Sequence, residues 1–359
     1  LINNPHKLNY SLVPDTEFNR RNEDAIIEKV HQKTKSLSVD DKNKIVALSE
    51  ALEKRQERID DPEILPKVTK EDIPLSRNYP NPNLSIVNNI ENYFYKSGTN
   101  GLVYHSMLFP CEALTIDELK IASLFTSSLT DIGLGSDSYE DVQKYQSSIT
   151  GGISASFTMI PNKGDSEHKL ALKISGKSLE KNAHLMQDLM IRTVQEANFG
   201  EHQRIQELLS FISADNEQSL TQNGHVLAMA NAASQLTEVA STNDLTSGIR
   251  FINNTGLLSK NISDEGSLDI YIKNLKSIQS KISLTPKNIF TASSLNPDEM
   301  DLKSFSGLNA ADVDEQNFIK VQDKSIGWIT GSQVCFCAEA FLTVDSSHED
   351  APALSVLGT

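Results

Sequence analysis

Apolar positions alternate with hydroxyl-bearing ones through Ile153, Ala155, Phe157 and Met159, with Ser154, Ser156 and Thr158 between them. A period of two marks a strand with one buried face. Asn162-Lys163-Gly164-Asp165 then turns the chain, and Leu170, Leu172 and Ile174 form the returning strand. Further strands are predicted over Ile86–Tyr95 and Gly101–Phe109, separated by the turn residues Ser97-Gly98-Thr99-Asn100, and over Asn288–Ser293. Elsewhere between residues 84 and 294 the period is helical. Thr115 with Glu118 opens a helix with the stripe Ala122, Phe125 and Leu129, which Gly133 is placed to end. Ser138 with Asp141 opens a second, and Ser178 caps a third that carries Met186, Met190 and Val194. The pattern stays helical over Glu201–Gly224, Val226–Val239 and Leu268–Ile282.

The flanks differ. Residues 7–13 alternate loosely and read as a strand whose sheet partners lie outside the sequence. Ile26, Ile27 and Val30, then Ile45, Leu48 and Leu52, give two amphipathic helices; Ser38 and Asp41 form a capping box at the start of the second. A proline-rich, charged stretch follows up to Pro82. Residues 295–324 are acidic and aperiodic, which suits a linker, and Ile326–Val344 reads as one or two strands. From Pro352 a helix opens and the sequence stops at Thr359, which leads us to expect a piece of a longer protein. The expected fold class is α+β. Its parts are a last strand (1–15), a helical hairpin (16–61), a complete α+β domain with an antiparallel sheet (62–294), a linker (295–324) and the truncated start of a second such domain (325–359).

Charge narrows the partners. Lys and Arg number 33 against 48 Asp and Glu, a balance of −15 that disfavours nucleic acid and anionic membranes. No run of eighteen apolar residues is present to span a bilayer. Three cysteines without regular spacing do not make a disulfide framework, which favours a reducing interior, in a bacterial cytoplasm or an organelle matrix.

The search for chemistry is largely negative. Neither H-E-x-x-H nor H-x-x-E-H occurs, so the paired imidazoles and glutamate base of a zinc peptidase are absent from these 359 residues. Glu167-His168 and Glu201-His202 lack a first histidine three residues before the glutamate. His184 and Asp188 sit four apart on a predicted helix, a spacing that a solvated face also produces. Glu201-His202 suits the acidic first turn of a helix. Cys335 and Cys337 share one side of a predicted strand, where small core residues are the simpler explanation. Gly176-Lys177-Ser178 falls between a predicted strand and a helix, but Ala171 stands where a phosphate loop needs glycine. No catalytic, metal-ligating or cofactor-binding residue is assigned.

Several strings are familiar all the same. Asn4-Pro5-His6, Arg55-Gln56, Asp60-Asp61-Pro62-Glu63 and Asp72-Ile73-Pro74 resemble the hairpin region that joins the two halves of presequence proteases. Thr130-Asp131-Ile132-Gly133-Leu134-Gly135 and Thr150-Gly151-Gly152-Ile153 resemble their third domain. Gln333-Val334, Phe336-Cys337-Ala338 and Asp350-Ala351-Pro352 resemble the start of the fourth. The resemblance runs in order along nearly the whole sequence. It implies an inverzincin of the pitrilysin and insulinase clan, in which four related domains close around an unfolded peptide and the hairpin is the hinge. It also implies that the zinc, its ligands and the base belong to the first domain, so that this chain would be an inactive hinge and wall, completed by an N-terminal half. The alternative is a non-catalytic structural or interaction protein of the same fold.

Overall fold

The structure is a computed structural model that describes residues 8, 11, 13, 15–59, 61, 64–67, 69–73, 79–161, 168–299, 327–329, 334–345 and 348–357. Two compact units are formed, Leu1–Asn78 and Tyr79–Thr359.

Among the described residues the first unit holds two α-helices, α1 (Phe18–Ser36) and α2 (Val39–Gln56). The capping box at the start of α2 is present: Asp41 N donates to Ser38 Oγ (3.1 Å) and the Asp41 carboxylate accepts from Ser38 N (3.3 Å). Lys33, Lys35, Lys54 and Arg55 occupy the last turns, where they oppose the negative ends of the helix dipoles. Both apolar stripes are uncovered, with Ile26, Ile27, Val30, Ile45, Leu48 and Leu52 all more than half exposed. A helix of this kind draws its stability from burial of the stripe, and among the described residues none covers these positions. The strand expected at residues 7–13 lies mostly outside the described residues.

The second unit is built on one sheet. Its strands are β1 (Asn83–Val87), β2 (Ile90–Lys96), β3 (Leu102–Cys111), β4 (Ile153–Pro161), β5 (His168–Leu179) and β6 (Asn288–Ser293). They lie side by side in the order β1-β2-β6-β3-β5-β4. Neighbours are antiparallel except β2 and β6, which run parallel. That exception follows from connectivity: β6 returns after eight helices and inserts between β2 and β3. Those helices are α3 (Ile116–Leu129), α4 (Tyr139–Ile149), α5 (Ala183–Gln195), α6 (His202–Gln222), α7 (Gly224–Ala233), α8 (Glu238–Ser247), α9 (Ile249–Asn261) and α10 (Glu265–Lys281).

Helices α3 and α5 pack on the sheet at β4 and β5. Val103, Met107 and Phe109 of β3, Leu172 and Ile174 of β5, Phe125 of α3 and Met190 of α5 are fully buried between the layers. Phe125 stacks against both Phe157 and Phe199, with centroids 6.0 and 5.6 Å away. Each such side chain contributes about 1.5–3 kcal/mol by leaving water.

Several expectations need correction. The single strand over Ile86–Tyr95 is a hairpin, because Asn88 and Asn89 take positive φ (52° and 62°) and reverse the chain. Gly176-Lys177-Ser178 is no strand-to-helix turn. Pairing with β3 carries β5 on to Leu179, Ser178 caps nothing, and α5 begins only at Ala183. Helix α3 ends at Leu129, so Gly133 is not its stop. Helices α8 and α9 are additions to the expected set. In place of the strands expected over Ile326–Val344, the described residues 327–329 and 334–345 form none, and Cys335 and Cys337 lie exposed on irregular chain. A final helix, α11 (Ala351–Leu357), matches the expected start near Pro352. Among the described residues no helix is long and apolar enough to cross a membrane.

Candidate functional site

The glycine-containing string Ile132-Gly133-Leu134-Gly135 proves to be a locked loop between α3 and α4. Gly133 N and Tyr139 N both donate to the Glu201 carboxylate, at 2.6 and 3.1 Å. A Cβ on Gly133 would lie 2.5 Å from the Asp137 carbonyl oxygen, so glycine is required for this close approach, and Gly135 takes φ +60°. Arg204, one turn along α6 from Glu201, places its guanidinium 4.3 Å from the centre of the Tyr139 ring and donates to the Asp131 carbonyl (3.1 Å). Glu201 is therefore a clamp on a distant loop, a role its position at a helix start did not reveal.

Two buried carboxylates have similar duties. Asp244 accepts from Arg250 Nε (2.6 Å), Asn231 Nδ2 (2.9 Å) and Ile249 N (3.0 Å), tying α7, α8 and α9 together. Glu118 meets Lys281 Nζ at 2.6 Å and Ser277 Oγ at 2.7 Å. Burial pushes its pKa up, but Lys281, Ser277 and Thr115 outweigh that and leave it below the usual carboxylate range.

The sequence candidates do not converge. His184 is exposed and Asp188 half-buried on α5. Cys111 is buried in the core, where desolvation pushes its thiol up to about 12. Among the described residues no three His, Cys, Asp or Glu side chains are grouped to hold a metal ion.

What the second unit does present is surface. On the sheet face turned away from α3 and α5, one cross-strand row runs Leu84, Tyr93, Phe290, Ser106, Ser175, Ser154. The next row runs Ile86, Glu91, Asn288, Leu108, Lys173, Ser156. All of these residues are exposed or half-buried. Tyr93 stacks on Phe290 with centroids 5.0 Å apart, and its hydroxyl donates to Glu91 (2.6 Å), a bond that raises the phenol's pKa. Aromatic rings offer large contact area at low conformational-entropy cost, and hydroxyl groups add adaptable hydrogen bonding.

On the opposite side, behind the β1–β2 hairpin, lies a cavity of about 370 Å³. Ile90, Phe94 and Ile289 give it apolar walls; His105 and Thr291 lie deeper, and Asp298 is exposed at the rim. His105 is 1% exposed, its Nδ1 is 2.9 Å from Thr291 Oγ1, and its Nε2 has no partner among the described residues. Burial depresses the ring's pKa to about 4, so it is neutral near pH 7.

Known proteins resemble this chain in sequence. The profile of the family described as peptidase M16-C-associated matches residues 12–257. A mitochondrial presequence protease from Drosophila melanogaster is 23% identical over 99% of this chain and 35% of its own length. Those of Danio rerio and Schizosaccharomyces pombe are 24% and 23% identical, covering 99% and 100% of this chain. The chain thus spans only 35–38% of the length of these relatives. With more than half of its residues matched by that profile, the chain belongs to the peptidase M16-C-associated family.

Proposed function

We propose that this chain forms the hinge and a chamber wall of a longer zinc endopeptidase that degrades unstructured peptides, in the manner of a presequence protease. Residues 16–61 are the hinge, and the six-stranded domain is the wall. The observation that carries this reading is the family match across the hairpin and most of the following domain, taken with relatives about three times as long. No zinc peptidase motif occurs in the sequence, so zinc and its ligands belong to another part of the longer protein. Bound there, zinc would polarise the scissile carbonyl and acidify a water. The contribution of this chain is steric and non-covalent: rows of aromatic and hydroxyl side chains that admit extended polypeptide and exclude folded domains. The compartment is an organelle matrix or a bacterial cytoplasm, and neither nucleic acid nor membrane is a partner.

The test is hydrolysis of an unstructured, fluorogenic peptide by the longer protein that carries this sequence, with and without a chelator. Chelator-sensitive cleavage is expected. A longer protein that is inert under these conditions would favour a structural protein of the same fold.

A further inference from the structure

Strand β1 ends the sheet, and among the described residues no strand pairs with its outer edge. Across the two-residue Asn88-Asn89 turn the closing pair Val87 and Ile90 is hydrogen-bonded, and bonded pairs alternate from there. The backbone N–H and C=O groups of Leu84 and Ile86 therefore point away from β2, and among the described residues no strand meets them. Edge strands are commonly protected by charge, proline or a bulge. The five residues of β1, Asn-Leu-Ser-Ile-Val, have none of these.

The cavity lies beside this edge. Ser85 and Val87 of β1 line it, together with Ile90, Phe94 and Ile289. A chain added alongside β1 would send every second side chain to the same side of the sheet as Ser85 and Val87, which is the cavity side. At about 370 Å³ the space falls within the range of pockets that enclose organic groups. Among the described residues Asp298 is the single charged side chain lining it, so a cation is favoured at the rim. His105 lines the same space, and among the described residues its Nε2 has no hydrogen-bond partner.

We propose that the free edge of β1 and the cavity behind it form one peptide-binding subsite: an extended, unfolded peptide joins the sheet as a seventh strand, seats an apolar side chain in the cavity and sets a lysine or arginine near Asp298. The proposal rests on the reading of this chain as a peptidase wall, and it adds a particular place where that wall grips its substrate.

The experiment uses the purified 359-residue chain and a fluorescein-labelled peptide of about ten residues that alternates threonine with phenylalanine and carries one arginine, followed by fluorescence anisotropy. Saturable binding is expected. Ile86→Pro removes one outward N–H while sparing the bonds to β2, a position where edge strands tolerate proline, and it should weaken binding at least about tenfold. Asn92→Phe, which fills the cavity, should do the same. Asp298→Lys should weaken the arginine peptide and spare its glutamine counterpart. Circular dichroism checks that each variant is folded. Unchanged affinity in folded Ile86→Pro and Asn92→Phe, or no wild-type binding up to about 1 mM, overturns the subsite. Failure of the parent reading is distinguishable: cleavage by the longer protein with KM unaffected by Ile86→Pro removes the subsite alone, whereas absence of cleavage removes the peptidase and leaves the anisotropy result standing.

Discussion

Replacing Glu201 with alanine should unfasten the loop between α3 and α4. Its carboxylate is the acceptor for Gly133 N at 2.6 Å and Tyr139 N at 3.1 Å, and Gly133 is buried. Hydrogen bonds to a charged acceptor are worth about 1.5–3 kcal/mol each. Tyr139 is half-buried, so water would replace part of one bond, and we expect a net loss of about 3 kcal/mol. For a domain of this size that corresponds to a fall in Tm of roughly 6–12 °C, read by circular dichroism. Glu201→Gln keeps one acceptor oxygen in place and should recover about half of the loss. Glu201→Ala melting within about 1 °C of the unaltered chain would show that these two bonds do not hold the loop, and the reasoning would fail.

Two further outcomes follow from the same structure. Gly248→Ala should destabilise the second unit by more than about 2 kcal/mol in urea unfolding, because a Cβ there overlaps the buried Asp244 carboxylate that binds Arg250 and Ile249 N; wild-type stability would contradict this. The pH dependence of stability should contain a contribution from His105, whose folded pKa is about 4 against an ordinary value of 6.5. The unfolded chain takes up this proton first as pH falls, so the contribution is fully present above about pH 6.5 and is lost progressively down to about pH 4, in all about 3 kcal/mol. His105→Gln should flatten that window in pH-dependent unfolding, and an unchanged slope would refute the assignment.

The elements readable in the sequence were those fixed by short-range rules. The capping boxes of Ser38 with Asp41 and Thr115 with Glu118 are both formed, and Ser138 accepts from Asp141 N as its spacing suggested. The alternation through Ile153–Met159 marks β4, and Asn288–Ser293 is β6 as expected. What escaped depends on distant partners. Strand β5 runs through a Gly-Lys-Ser string because β3 pairs with it as far as Leu102 and Leu179. Helix α8 is rich in Ser, Thr and Asn and has a weak apolar stripe; the Asp244–Arg250 pair and the Asn231 amide join it and α9 to α7. Glu201 reads as the acidic first turn of a helix, yet its partners lie 62 and 68 residues away. The cavity was invisible for the same reason, since Ile90, His105, Gln187 and Ile289 meet only once β6 has inserted between β2 and β3.

The division of labour between this chain and the rest of a longer protein can be measured directly by incubating the purified chain and the longer protein separately with one unstructured peptide and following the products by mass spectrometry. Chelator-sensitive fragments should come from the longer protein and none from the chain. Peptide cleavage by the chain alone, abolished by the chelator, would contradict the account.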